Sequence, residues 1–169
     1  AKMASETGTA MIIGTTGLNG AQQDAIVQAA EHVAVVQAAN FSVGVNILLG
    51  LTEQTAGILG DDYDIEILEM HHRSKVDAPS GTALALGQAA AAGRGVKIEN
   101  VSQRVRDGHT GPRKAGDIGF STLRGGDVAG DHIIVFAGDG ERVELTHKAS
   151  NRTVFAAGAV RAALWTATR

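Results

Sequence analysis

The apolar run Ala10 to Ile13 stops abruptly at Gly14-Thr15-Thr16-Gly17, and this junction constrains the start of the chain more than any other feature. An apolar run ended by small turn-forming residues reads as a short buried strand. Within Ala21 to Glu31, the residues Ala25, Ile26, Ala29 and Ala30 recur at helical spacing, and Val33 to Val36 is a second apolar strand. Strand, helix and strand in this order make one βαβ unit, whose parallel strands need cover on both faces. A unit of about 40 residues cannot supply that cover alone. Residues 1–41 are therefore expected to be the remnant of a larger domain, in a chain that is a fragment or has been trimmed.

The pattern then changes. Ser42 can cap a helix with an apolar face of Val43, Ile47, Leu51 and Ile58, ending near Gly60. Tyr63 to Met70 reads as a strand running into a polar loop, His71 to Pro79, after which Ser80 caps an Ala-rich helix. Ile118 to Arg124, His132 to Ala137 and Arg142 to Lys148 read as strands joined by Gly-Asp turns, so an antiparallel meander is expected. In the third of them Val143, Leu145 and His147 alternate with Arg142, Glu144, Thr146 and Lys148, as in a sheet with one wet or interfacial face. Thr153 to Trp165 reads as a helix with Val154, Phe155, Val160 and Leu164 available for packing. The expected fold class is α/β plus α+β: a partial Rossmann-type βαβ piece, then an α+β domain over 42–152 with a mixed, largely antiparallel sheet. The helix in 153–169 is expected to pack back on the first piece.

Composition narrows the function classes. With 44% hydrophobic and 20% charged residues, the chain is not disordered. A net charge of -3 gives no general field for a polyanion or an anionic membrane, and 4% aromatic residues leave few platforms for stacked bases. Neither nucleic acid nor a membrane is expected as a partner. No apolar run approaches the roughly 20 residues of a bilayer span and no signal-like segment opens the chain, so the expected location is cytoplasmic. The absence of cysteine excludes disulfides, thiolate catalysis and Cys-ligated metal. Glycine is abundant, 22 of 169 residues, but without a periodic repeat, which points to single turns and close approaches.

The densest chemistry lies between Glu69 and Thr82. His71 and His72 bring imidazoles that titrate near neutrality and can deliver a proton to developing negative charge. Lys75 adds a positive charge that also favours the neutral form of a nearby histidine. Ser80, Gly81 and Thr82 put hydroxyls and free backbone N–H groups at a helix N-terminus, suited to a carboxylate or phosphate. Singly, such histidines are most often structural and Ser80 a plain helix cap. Together they read as an acid–base group beside an anion cradle. A Ser80, His71, Asp77 triad would make a hydrolase, but Ser80 lacks the G-x-S-x-G elbow. A metal set of His71, His72, Asp77 and His109 is weak, because adjacent residues in extended chain point to opposite faces.

Gly14-x-x-Gly17-x-x-Gly20 follows a strand and opens a helix, like a dinucleotide fingerprint. The second strand lacks the acidic residue that such a fingerprint needs for the ribose, ending instead in Gln37-Ala38-Ala39-Asn40-Phe41. This turn is expected to approach a cofactor held mainly elsewhere. Arg104, Arg106, His109, Arg113 and Lys114 crowd one loop, which reads as a solvated loop, an anion-binding lid or a subunit contact. Lone His32 reads as structural.

These residues resemble the 4-hydroxy-tetrahydrodipicolinate (dihydrodipicolinate) reductase family. The resemblance rests on Ile13 to Gly17, Ala39 to Asn46, the loop His71 to Ala83, Gly108 to Gly111, Phe136 to Arg142 and Thr146 to Ser150, in family order along nearly the whole chain. It implies a reductase of diaminopimelate and lysine biosynthesis that uses NADH or NADPH, in a fragment without the N-terminal part of the nucleotide-binding domain. It further implies that His71 is the proton donor and acceptor and Lys75 the second acid. His72, Lys75, Ser80, Gly81 and Thr82 would bind a small dicarboxylate substrate; Gly14, Thr15, Thr16, Ala38, Ala39, Asn40 and Phe41 would meet the nicotinamide half of the cofactor. A homotetramer assembled through the sheet is expected. The alternative is a non-catalytic dicarboxylate-binding or assembly module.

Overall fold

The computed structural model describes residues 1–167. They form two compact units, Ala1–Val43 with the chain from Thr153 onward, and Gly44–Arg152.

The first unit opens with a helix that the sequence reading did not anticipate, α1 (Lys2–Thr7), ended by Gly8 in the left-handed conformation. Strand β1 (Met11–Ile13), helix α2 (Gly20–Ala30) and strand β2 (Val35–Gln37) follow, and β1 pairs in parallel with β2, Met11 opposite Val35 and Ile13 opposite Gln37. This is the βαβ unit read from the apolar runs. β1 is half-buried and not buried as expected, β2 is half-buried up to the exposed Gln37, and of the α2 stripe only Ala29 is buried and Ile26 half-buried, with Ala25 and Ala30 exposed. Asn19 starts α2 through a capping box: its side chain accepts the Gln22 N–H, and the Gln22 side chain accepts the Asn19 N–H, both at 2.9 Å. Helix α6 (Thr153–Thr166) packs on β1 and β2. Of the four residues expected to pack, Phe155 is half-buried, whereas Val154, Val160 and Leu164 are exposed. Gly158 explains the difference, because a Cβ there would lie 1.7 Å from the Phe41 carbonyl oxygen. A helix that approaches backbone this closely leaves room there only for small side chains.

The second unit is built on a mixed sheet of five strands, β3 (Asp64–His71), β4 (Ser102–Gln103), β5 (Ile118–Arg124), β6 (Gly130–Gly138) and β7 (Glu141–Ala149). Their order is β4-β5-β3-β6-β7. β6 and β7 form the expected antiparallel hairpin, but β5 is not its neighbour: β3 lies between β5 and β6, parallel to the first and antiparallel to the second. The expected three-stranded meander is thus corrected. The cause is visible in the register, which places the apolar residues of β3 between those of its two neighbours. Ile118, Ile65, Phe136 and Val143 form one cross-strand row, and Phe120, Ile67, Ile134 and Leu145 the next. Paired directly, β5 and β6 would exclude Ile65 and Ile67 from the centre of this core.

Helices α3 (Val43–Leu59) and α4 (Gly81–Gly93) contribute Leu48, Ala56, Ala83, Leu86 and Ala90 to the same core. A single 3-10 turn (Gly60–Asp62) joins α3 to β3, and a short helix α5 (Ile98–Val101) precedes β4. The expected apolar face of α3 is the wrong one: Val43, Ile47, Leu51 and Ile58 are exposed, while Val45, Leu48, Thr52 and Ala56 are buried. In its C-terminal half, where α3 approaches α4 closely, the inward residues are the small Thr52 and Ala56. A Cβ on Gly57 would lie 3.1 Å from the Gly93 carbonyl oxygen, and one on Gly93 would lie 2.1 Å from that of Glu53. In β7 the alternation holds, with Val143, Leu145 and His147 half-buried and Arg142, Glu144, Thr146 and Lys148 exposed.

Candidate active site

The two apolar rows on the inner sheet face are followed by a polar one. Thr122, Glu69, His132 and His147 are register partners across β5, β3, β6 and β7, and beyond them Arg124 stands opposite His71. Because strand side chains alternate, Glu69 and His71 share the face of Ile65 and Ile67. His71 is therefore the last residue of β3 and buried, and not the first of a polar loop.

Glu69 is the hub of this row. Its side chain is 1% exposed and receives Arg124 Nη1 at 2.8 Å and Nη2 at 2.9 Å, the backbone N–H of Ser80 at 3.1 Å and the Thr122 hydroxyl at 3.4 Å. His71 Nδ1 lies 2.5 Å from the carboxylate. Burial alone would push Glu69 up, but the hydrogen bonds from Arg124 and His71 hold it below the usual carboxylate range. Burial pushes His71 below its ordinary value; Glu69 works against this, and Lys75 and Arg124 add to it.

Helix α4 starts over this row. The Ser80 hydroxyl accepts the Ala83 N–H at 3.1 Å, as an N-cap does, and lies 3.2 Å from His132 Nε2. The His132 ring meets His71 edge to face at a centroid distance of 5.2 Å. Its Nδ1 is buried without a hydrogen-bond partner, and burial together with the His71 charge pushes its pKa down to about 4. Gly130, with φ +154°, borders both rings: a Cβ there would lie 3.1 Å from His71 Nε2 and 3.7 Å from His132 Cε1. Glycine keeps the space beside that nitrogen open.

The loop between β3 and α4 is pinned at several points. Lys75 Nζ donates to Asp77 at 2.7 Å and holds that carboxyl below its usual range, while Arg124 donates to the Asp77 carbonyl at 2.7 Å. His72 and Lys75 are half-buried, Gly81 is exposed and Thr82 is buried in the first turn of α4. Two buried imidazoles, one ammonium and one helix N-terminus thus share the same end of the sheet.

In the first unit, Gly14-Thr15-Thr16 and Ala38 to Phe41 leave the carboxyl ends of adjacent parallel strands. The Ala38 N–H returns to the Ile13 carbonyl at 3.1 Å, and the Phe41 ring lies 3.4 Å from where a Gly14 Cβ would stand. Gly14, Thr15, Thr16 and Ala39 are exposed. Such an edge is where open α/β sheets receive nucleotides, and these small residues fit that use.

The family comparisons agree with one another. The N-terminal model of dihydrodipicolinate reductase matches residues 1–41 and the C-terminal model matches residues 44–169. The chain belongs to the dihydrodipicolinate reductase family. It is 58% identical over 165 residues to 4-hydroxy-tetrahydrodipicolinate reductase of Beijerinckia indica, covering 98% of this chain and 61% of the relative. A Chelativorans protein of the same name is 61% identical over 155 residues, covering 91% of this chain and 56% of the relative. A dihydrodipicolinate reductase of Paenisporosarcina sp. TG-14, solved with dipicolinate bound, superimposes with a TM-score of 0.74 at 25% identity, covering 98% of this chain and 62% of its own. The chain spans about three fifths of the length of the Beijerinckia reductase, 61%.

Within this reductase fold the structure brings His71 and Ser80 together through Glu69, with Lys75 close enough to act on the His71 charge. It does not assemble a Ser80, His71, Asp77 triad: Ser80 meets His132, Asp77 meets Lys75 and His71 meets Glu69. Nor do three His, Asp or Glu side chains converge as metal ligands among the described residues. The basic loop is largely committed to strand β3. Arg106 donates to both Glu66 oxygens at 2.8 and 2.7 Å, while Arg113 reaches Glu66 at 3.0 Å and Asp64 at 2.6 Å. Arg104 donates to Ser102, and its guanidinium lies 6.0 Å from the Phe120 ring centroid. Sequence reasoning passed over Glu69, Arg124 and His132 as site residues. The spacing of Glu69, two residues before His71 in a strand, was the available signal; the other two depend on register.

Proposed function

We propose that the chain carries the substrate-binding part of an enzyme that reduces 4-hydroxy-tetrahydrodipicolinate to tetrahydrodipicolinate in diaminopimelate and lysine biosynthesis. The observation that carries this reading is the placement of the buried His71 imidazole and the α4 N-terminus on a single carboxylate, that of Glu69. A dicarboxylate needs cations and N–H donors, and Lys75, His72, Ser80, Gly81 and Thr82 lie on the segment that runs from His71 into α4. A reduced nicotinamide, when bound, supplies a hydride. Loss of the 4-hydroxyl as water gives a conjugated imine, hydride addition to that imine leaves an electron-rich centre, and His71 is the group proposed to protonate it, with Lys75 as the second acid.

Gly14, Thr15, Thr16 and Ala38 to Phe41 are proposed to contact the nicotinamide half of NADH or NADPH. Their support is their position at the carboxyl edge of β1 and β2 and the bare Gly14 backbone under the Phe41 ring.

Calorimetry with dipicolinate, the flat pyridine-2,6-dicarboxylate, tests the substrate site on this chain. Saturable binding is expected, weakened at least tenfold by Thr82→Val combined with Lys75→Met. Unchanged affinity in the double variant would remove the proposed cradle. Placed in a complete reductase with substrate and reduced nicotinamide, His71→Ala is expected to lower kcat by about 10² to 10⁴ as followed by nicotinamide absorbance. Dipicolinate binding without binding of the reduced nicotinamide would instead identify a binding module.

A further inference from the structure

We propose that Glu69, locked in place by Arg124 and Ser80, is the positioning residue that holds His71 with its Nδ1 proton turned inward and its Nε2 turned to the substrate. The proposal deepens the reductase reading, on which it rests only for the use to which His71 is put.

Three observations carry it. Glu69 is buried on the same strand face as His71, two residues away, so its carboxylate reaches only the Nδ1 side of the ring, at 2.5 Å. Both Glu69 oxygens receive N–H donors from Arg124, and one also receives the Ser80 N–H, so the carboxylate is held ionised. An ionised carboxylate can only accept, and the hydrogen of the shared bond therefore sits on His71 Nδ1. Finally, Nε2 faces Gly130, which brings no side chain of its own against that nitrogen. The proton that His71 gives up leaves from Nε2, after which the ring remains as the neutral Nδ1–H form, ready to be recharged at the same nitrogen. Glu69 does not take up that proton, because Arg124 opposes its neutral form.

The charged and titratable groups around His71 all enter the test. Glu69 approaches from β3, Arg124 from β5, His132 from β6 with His147 behind it on β7, and Lys75 from the loop; the N-cap of α4 brings the Ser80 hydroxyl and amide. Removing the Glu69 charge should make His71 harder to protonate, and removing the Arg124 charge should make it easier.

Nitrogen–proton correlation spectra of the imidazoles in the isotope-labelled chain read this directly, with His71→Gln assigning the His71 signals. In the unmodified chain at mildly alkaline pH, Nδ1 should carry the proton and Nε2 should be bare. Glu69→Gln should move the His71 titration midpoint down by about one unit or more, and Arg124→Gln should move it up. Thr122→Val, which removes the longest contact to the same carboxylate, should move neither. A predominant Nε2–H form in the unmodified chain overturns the proposal whether or not the variants fold. So does an unchanged midpoint in a folded Glu69→Gln protein. Failure of dipicolinate to bind would count against the reductase reading and leave the tautomer result standing.

Discussion

His132 Nε2 lies 3.2 Å from the hydroxyl of Ser80, the residue that caps α4, while the opposite ring nitrogen is buried without a partner. The two residues are 52 positions apart, and the bond ties the start of α4 to β6 at the end of the core. A neutral imidazole suits this position. Its protonation would bury a charge beside His71 and Lys75, both of which already oppose it.

Stability should therefore fall on the acid side of neutrality. His132 titrates at about 4 when folded, against a usual 6.5, so the unfolded chain takes up the proton first. The contribution is fully present above pH ~6.5 and is lost as pH drops towards ~4, amounting to about 3 kcal/mol. Burial lowers His71 as well and adds to the same slope. Urea unfolding at neutral and at mildly acidic pH reads the difference, and His132→Gln should flatten it. Parallel curves for the two proteins would show that His132 is not the titrating group.

Arg113 should prove structural and not part of an anion lid. Besides Glu66 and Asp64, its guanidinium donates to the backbone carbonyls of Ile65, Lys114 and Asp117. Arg113→Met leaves these acceptors and the half-buried Glu66 short of donors, with an expected loss of about 3 kcal/mol. Dipicolinate affinity in the folded variant should be unchanged. Intact stability with weakened binding would reverse the assignment.

Local chemistry was legible in the sequence wherever neighbours in the chain are also neighbours in space. The βαβ unit, the Ser80 cap, the β6–β7 hairpin and the alternation of Val143, Leu145 and His147 are all of this kind. The errors came from long-range pairing and close approach. Nothing local reveals that β3 separates β5 from β6, and so nothing local reveals that Thr122, Glu69 and His132 form one row. The apolar face of α3 was misread because hydrophobicity favours Ile47, Leu51 and Ile58, whereas the helix crossing at Gly57 and Gly93 selects small residues. The basic loop had the right charges, but its partners on β3 lie 40 to 49 residues away.

Gly130→Ala should affect both stability and ligand binding. At φ +154° any side chain strains the backbone, with an expected cost of about 1 kcal/mol, and the new methyl would sit 3.1 Å from His71 Nε2. Dipicolinate binding should weaken in a variant that remains folded at room temperature, as judged by calorimetry and circular dichroism. A variant with unaltered affinity would place the ligand away from this nitrogen.

Self-association should involve the sheet face turned away from α3 and α4. There Leu68, Met70, Ile133 and Val135 are half-buried, Leu123 is exposed, and Glu144 and Thr146 of the edge strand β7 lie alongside. A mixed apolar and polar sheet face with an open edge is the kind of surface that chains commonly cover with another copy of themselves. Closed symmetry would set identical strand positions opposite one another, and a homotetramer is the assembly proposed. The active loop need not be disturbed, because Glu69 and His71 belong to the helix-covered face whereas Leu68 and Met70 belong to the other. Light scattering should report a species several times the 17.4 kDa chain mass, and Ile133→Lys combined with Leu123→Glu should dissociate it while leaving dipicolinate binding in place. A monodisperse monomer of the unmodified chain at tens of micromolar would show that this face is not an assembly surface.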